Sequence, residues 1–156
     1  MGAARFCWVG LCCAVLGCTP DNNGTDAGTT ADAATSSCGY NAFAGQQLSD
    51  ATSGLQATLT TLTPQPAERG DNTWTLRITN ASGAALTGAH VLLHPFMAAH
   101  GHGTTPADFD AVENPAGTYT VGPFNLFMPG DWTVTVRIQQ TGQADVDIPF
   151  HACISG

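Results

Sequence analysis

The chain predicts an all-β fold, an immunoglobulin-like antiparallel β-sandwich of about seven strands, and three observations predict it. After Cys38 the apolar residues recur with period two, in short runs rich in Thr, Val, Leu and aromatic side chains. Gly, Pro and Asn interrupt those runs at short intervals. No stretch carries an apolar stripe at helical spacing. Short alternating strands separated by turns bury their apolar faces by packing two sheets together.

The elements follow in order from the N-terminus. Residues 1–17 hold one cation, Arg5, and an apolar run from Phe6 to Leu16 that is too short for a permanent membrane span. This reads as an export signal. It ends at Val15-Leu16-Gly17-Cys18, which resembles the bacterial lipobox, with Cys18 lipidated and becoming the mature N-terminus. Val15 and Leu16 stand where leucine and a small side chain are more usual, so a plain cleaved signal is the alternative reading. Thr19 follows Cys18 where an aspartate would favour retention, which places the expected site of attachment at the outer membrane, facing the periplasm. Residues 18–37 are poor in large apolar side chains and read as the lipidated cysteine followed by a tether. A flexible coil of that length reaches roughly 25 Å.

Residues 38–156 form the expected domain. Strands are predicted at Leu55–Leu62, Thr73–Thr79, Ala89–Phe96, Ala107–Val112, Thr118–Phe124, Trp132–Gln139 and Ala144–Phe150. Turns are predicted at Asn80–Gly83, Asn114–Gly117 and Met128–Asp131. Alternation assigns the faces. Trp132, Val134, Val136 and Ile138 point one way and Thr133, Thr135 and Arg137 the other, while Trp74, Leu76 and Ile78 repeat the pattern. Both tryptophans are therefore expected in the core.

Cysteines and charge bound the function. Of six cysteines, Cys7, Cys12 and Cys13 fall in the signal and Cys18 is the lipidation site, leaving Cys38 and Cys153 near the two ends of the domain. In an oxidising compartment these two form a disulfide, the alternative being a thiolate pair joining a metal. The chain has no lysine and four arginines against twelve carboxylates. Loss of Arg5 with the signal leaves three against twelve, a net charge of about −9. A nucleic-acid partner is excluded, because phosphate backbones are held by basic patches. No Gly-x-Ser-x-Gly, His-Glu-x-x-His or phosphate-cradling glycine loop is present, and an enzymatic role is not expected.

Met97-Ala-Ala-His100-Gly-His102-Gly103 packs a thioether and two imidazoles into a glycine-loosened segment, and Phe127-Met128-Pro129-Gly130 places a second thioether at a turn. Two loops of one fold converging on Met97, His100, His102 and Met128 would make a soft-metal site. Thioether sulfur favours Cu(I) over Cu(II), and zinc is the less favoured ion for this set. In an extended segment His100 and His102 have Cα atoms about 6.6 Å apart with side chains on one side. The bland alternatives are an idle solvated His-Gly loop and methionines that fill the core. His90 and His94, about 13 Å apart along a strand, are too far apart to chelate one ion. They read as strand histidines, with His94 the one that supports the loop. Asp108 and Asp110 would either orient an imidazole or lie solvated at a strand edge.

These pieces, taken in order, resemble the YtkA-like domain, a family of small exported β-sandwich domains related to the FixH group and associated with copper handling. Gly70-Asp-Asn-Thr-Trp74 is similar to its opening strand, Leu86-Thr-Gly-Ala-His-Val91 to the next segment, and Pro95–Gly103 to its His-Gly loop. Gly117-Thr-Tyr119 and Asn125–Trp132 complete the series. Ala98 stands where the family more often has proline. The resemblance, spanning about Thr58 to Phe150, implies a copper-binding envelope protein that works with a copper acceptor or another envelope protein. A metal-free interaction or structural module of the envelope is the rival class.

Overall fold

The computed structural model describes Cys38 and residues 41–156; the expected signal segment, Cys18 and the tether lie outside the described residues. Among the described residues there are ten strands: β1 Gln47–Ser49, β2 Gln56–Thr63, β3 Gly70–Thr79, β4 His90–Met97, β5 His102–Gly103, β6 Phe109–Asp110, β7 Val112–Asn114, β8 Thr118–Leu126, β9 Gly130–Gln139 and β10 Val146–Ile154. They form two antiparallel sheets, ordered β1-β2-β3-β8-β7 and β10-β9-β4-β5, with β6 also pairing to β4. The two sheets face each other as the sandwich that the alternation predicts.

Six of the predicted strands correspond to long elements, with ends shifted by a few residues. The seventh, Ala107–Val112, is divided. Phe109 and Asp110 pair with Leu93 and Leu92 of β4, whereas Val112 to Asn114 pair with β8 in the other sheet. Ala111 sits between them and donates its N–H to the Val91 carbonyl at 2.8 Å. The six-residue apolar pattern was therefore a crossing between sheets, too short for period two to show where one pairing ended.

The core takes one face of each strand. Trp132, Val134, Val136 and Ile138 are buried along β9, and Trp74, Leu76 and Ile78 along β3. In β8 the buried parity changes from Tyr119 and Val121 to Phe124 and Leu126. The register slips there against β3, and Gly122 sits at φ +133°, where a Cβ would lie 2.7 Å from the Asn72 carbonyl. Trp74 of one sheet meets Phe150 of the other edge-on at 6.3 Å, and Phe124 at 5.4 Å.

One end of the sandwich gathers the features that matter below. β4 ends there, β9 begins there and β10 ends there, since Phe96 pairs with Thr133 and Ile154 with Gly130. Cys38 is joined to Cys153 by a disulfide with Cα atoms 5.5 Å apart. Beside it, the Ala42 N–H donates to the His151 carbonyl at 2.7 Å, and the Cys153 N–H to the Asn41 side chain.

Candidate metal centre

Two segments meet at this end of the fold, through the contact of His102 with Phe127: the turn after β4 and the Phe127–Pro129 connection from β8 to β9. The turn closes when the His100 and Gly101 N–H groups both donate to the Met97 carbonyl, at 3.2 and 2.9 Å. Gly101 takes φ +68°, a conformation a side chain disfavours. The extended His100–His102 geometry expected from sequence is thus corrected, because a turn separates the two residues and His102 opens β5 opposite Met97. The imidazoles are neighbours all the same, with ring centres 5.7 Å apart and planes inclined at 41°.

That spacing bears on metal capture. Two imidazoles on one ion, with metal–nitrogen bonds of about 2.0 Å, have ring centres about 5 to 6.5 Å apart as the angle at the ion opens from tetrahedral to linear. The observed separation falls inside that interval. His100 is exposed and His102 half-buried, so the pair is open to solvent on one side. On the other side His102 stacks on Phe127, centres 5.7 Å apart and planes 18° from parallel, and meets Trp132 edge-on at 6.4 Å. Its Nδ1 lies 3.4 Å from the Gly103 carbonyl. A proton on Nδ1 leaves the Nε2 lone pair to an ion.

The two thioethers occupy different environments. Met97 is 1% exposed and belongs to the core, the role that sequence left open beside ligation. Gly130, at φ +127°, makes room for it: a Cβ at that position would stand 2.7 Å from the Met97 methyl carbon. Met128 is half-buried and packs against the margin of the core. It is the thioether nearer the surface. Its carbonyl accepts the Trp132 indole N–H at 3.0 Å, and Arg69 Nε donates to the Phe127 carbonyl at 2.9 Å, so both ends of the connection are held.

His94 is placed elsewhere. Its Nδ1 is 2.7 Å from an Asp108 carboxylate oxygen and its ring stacks on Phe96, so its partner is the strand edge and not the His-Gly turn. His90 lies between Asp110 at 2.8 Å and Gln139 at 2.7 Å. Asp108 and Asp110 therefore orient imidazoles, but those of β4. Among the described residues no group of three His, Cys, Asp or Glu side chains is arranged to hold an ion.

Sequence reasoning did not assign roles to Phe127 and Arg69. An aromatic residue directly before Met128 was a visible signal for the first; nothing in the local pattern marked Arg69, which acts across 58 positions of chain. Other positions in the same motifs serve the fold. Asn72 is wholly buried and ties Glu68 and Gly70 through three hydrogen bonds. Tyr119 donates its hydroxyl to the Leu86 carbonyl at 3.0 Å, and Gly117 fits where a Cβ would strike the Leu86 and Ile78 carbonyls.

A family model described as YtkA-like matches residues 50–137. No curated protein and no solved structure matches the chain.

Proposed function

From the premise that the chain belongs to the YtkA-like family, we propose that it is a copper-binding lipoprotein of the bacterial envelope, anchored through Cys18, that sequesters or delivers Cu(I). The observation that carries the reading is the His100–His102 pair, ring centres 5.7 Å apart, with His102 stacked on Phe127 next to Met128. His100, His102 and Met128 act as ligands, and Met97 supplies the apolar floor beneath them. Imidazole and thioether together favour a soft monovalent ion over zinc, calcium or magnesium. The stacked Phe127 and buried Trp132 limit water on the inner side and offer ring faces to a cation. The protein acts by holding and passing an ion, not by catalysis.

The test is a Cu(I) competition titration against a chromophoric chelator, comparing the protein with its His100→Ala, His102→Ala double variant. Affinity is expected to fall by at least a hundredfold while the thermal unfolding transition is retained. Equal affinity in a folded double variant would remove the site. Phe127, 41% exposed in the same rim, supports the second reading, a metal-free docking module. Copper-free protein recovered from copper-replete cells with a stoichiometric partner would favour that reading.

A further inference from the structure

Phe127 is 41% exposed, so packing alone does not hold its ring against His102. Its backbone is held instead. Arg69 Nε donates to the Phe127 carbonyl at 2.9 Å, and the Trp132 indole N–H donates to the next carbonyl, that of Met128, at 3.0 Å. Arg69 is itself braced from inside the fold. Asn72, wholly buried, donates to the Glu68 and Gly70 carbonyls at 2.8 and 2.9 Å and accepts the Glu68 N–H at 3.2 Å. The backbone on both sides of Arg69 is thereby fixed. A continuous line of contacts runs from Asn72 through Arg69 and Phe127 to the imidazole of His102.

That line ends where orientation is otherwise least secured. The contact of His102 Nδ1 with the Gly103 carbonyl, at 3.4 Å, is long for a hydrogen bond and correspondingly weak. The plane of the imidazole is set by the rings around it. Phe127 lies within 18° of parallel and Trp132 stands edge-on, and those two rings meet each other at 5.5 Å and 75°. The plane in turn decides where the Nε2 lone pair points. The charge of Arg69 works the other way, since a guanidinium near the rim repels a bound cation, by a small amount because the side chain is exposed and screened.

We infer that Arg69 and Phe127 are positioning residues for the candidate centre, holding the His102 imidazole in its ion-binding orientation before an ion arrives. This rests on the copper-binding reading above. Ordering one side chain in advance spares the binding step that cost, which corresponds to about two- to tenfold in affinity. Loss of Arg69 therefore weakens ion binding, whereas its charge taken alone predicts the opposite sign.

The test compares the full chain with Arg69→Ala, Phe127→Leu and the two combined, by Cu(I) competition titration and by NMR of the metal-free protein. Arg69→Ala is expected to lower Cu(I) affinity about three- to tenfold with the thermal unfolding transition retained. Phe127→Leu, which keeps apolar bulk but removes the flat face, is expected to lower it at least as much. The combined variant is expected to bind no more weakly than Phe127→Leu, because Arg69 acts through that ring. Unchanged or raised affinity in folded Arg69→Ala, or losses that add in the combined variant, would overturn the positioning role. Without metal, the His102 ring protons lie in the ring currents of Phe127 and Trp132, and Arg69→Ala is expected to move them toward the values of a solvent-exposed histidine. Ring shifts that stay in place would overturn it as well. Absence of Cu(I) binding by the unaltered chain would overturn the copper reading, while the ring shifts would still decide whether Arg69 holds His102.

Discussion

His90 shows how a hydrogen-bond network sets a charge state. Gln139 donates its amide nitrogen to Asp145 at 2.7 Å, which turns its oxygen toward His90 Nδ1, and Asp110 takes the other ring nitrogen. Two acceptors around one imidazole favour the form that donates from both nitrogens. Its pKa is accordingly raised above the ordinary histidine value, first by the Gln139 bond and then by Asp110. Because the folded value lies above the unfolded one, the stabilisation is present below the unfolded pKa of about 6.5 and is lost as pH rises through the folded value. A ring-proton titration by NMR is expected to place His90 above the usual midpoint, and Gln139→Leu to move it down. A midpoint unmoved by that substitution would assign the shift to Asp110 alone. Asp147 is shifted the opposite way, held below the carboxylate range by the paired Arg137 guanidinium, and its contribution fades in acid.

At the scale of elements, β8 shows why a motif that looks functional can be structural. Gly117 admits the close approach of the Leu86 and Ile78 carbonyls, and two residues later Tyr119 crosses to bond the same Leu86 carbonyl. Together they dock the connection before β4 onto the strand that follows it. Tyr119→Phe is expected to cost about 1 kcal/mol of stability, read as a lower urea midpoint with unchanged slope. A changed slope would mean that the connection itself detaches. Long half-buried strands such as β9 were legible in sequence because four inward side chains repeat without interruption. The strands β1, β5, β6 and β7 hold two or three residues each, fewer than one full alternation can mark, and their pairing is decided by neighbours distant in the chain. The convergence of the His-Gly turn with the Met128 turn was legible as two motifs of one chemistry. The burial of Met97 was not, because the space it fills is opened by Gly130 on another strand.

At the scale of the whole molecule, the cystine closes a loop of 115 residues, nearly the entire domain. Restricting so long a segment of the unfolded chain is worth about 2–4 kcal/mol in typical cases. Cys38→Ser with Cys153→Ser is expected to lower unfolding stability by that amount, and the proposed ligand set, which includes neither cysteine, predicts that Cu(I) affinity is retained. Loss of copper binding in a folded double-serine protein would make the cysteines part of the metal site. Thiol labelling of the native protein is expected to find both unreactive until reductant is added. The cysteines were readable as a pair from sequence by elimination; that their bond lies at the same end as the His-Gly turn was not, since only the β9–β10 register sets it.

The same stretch of β10 carries one more consequence, for self-association. β10 is the last strand of its sheet, and a bare outer strand is a template on which another chain can build. Pro149 removes one donor from the middle of that edge, and residues 41 and 42, strapped down by the cystine, occupy its far end. Closing one pair of thiols thus also helps to blunt an outer strand on which another chain could otherwise build.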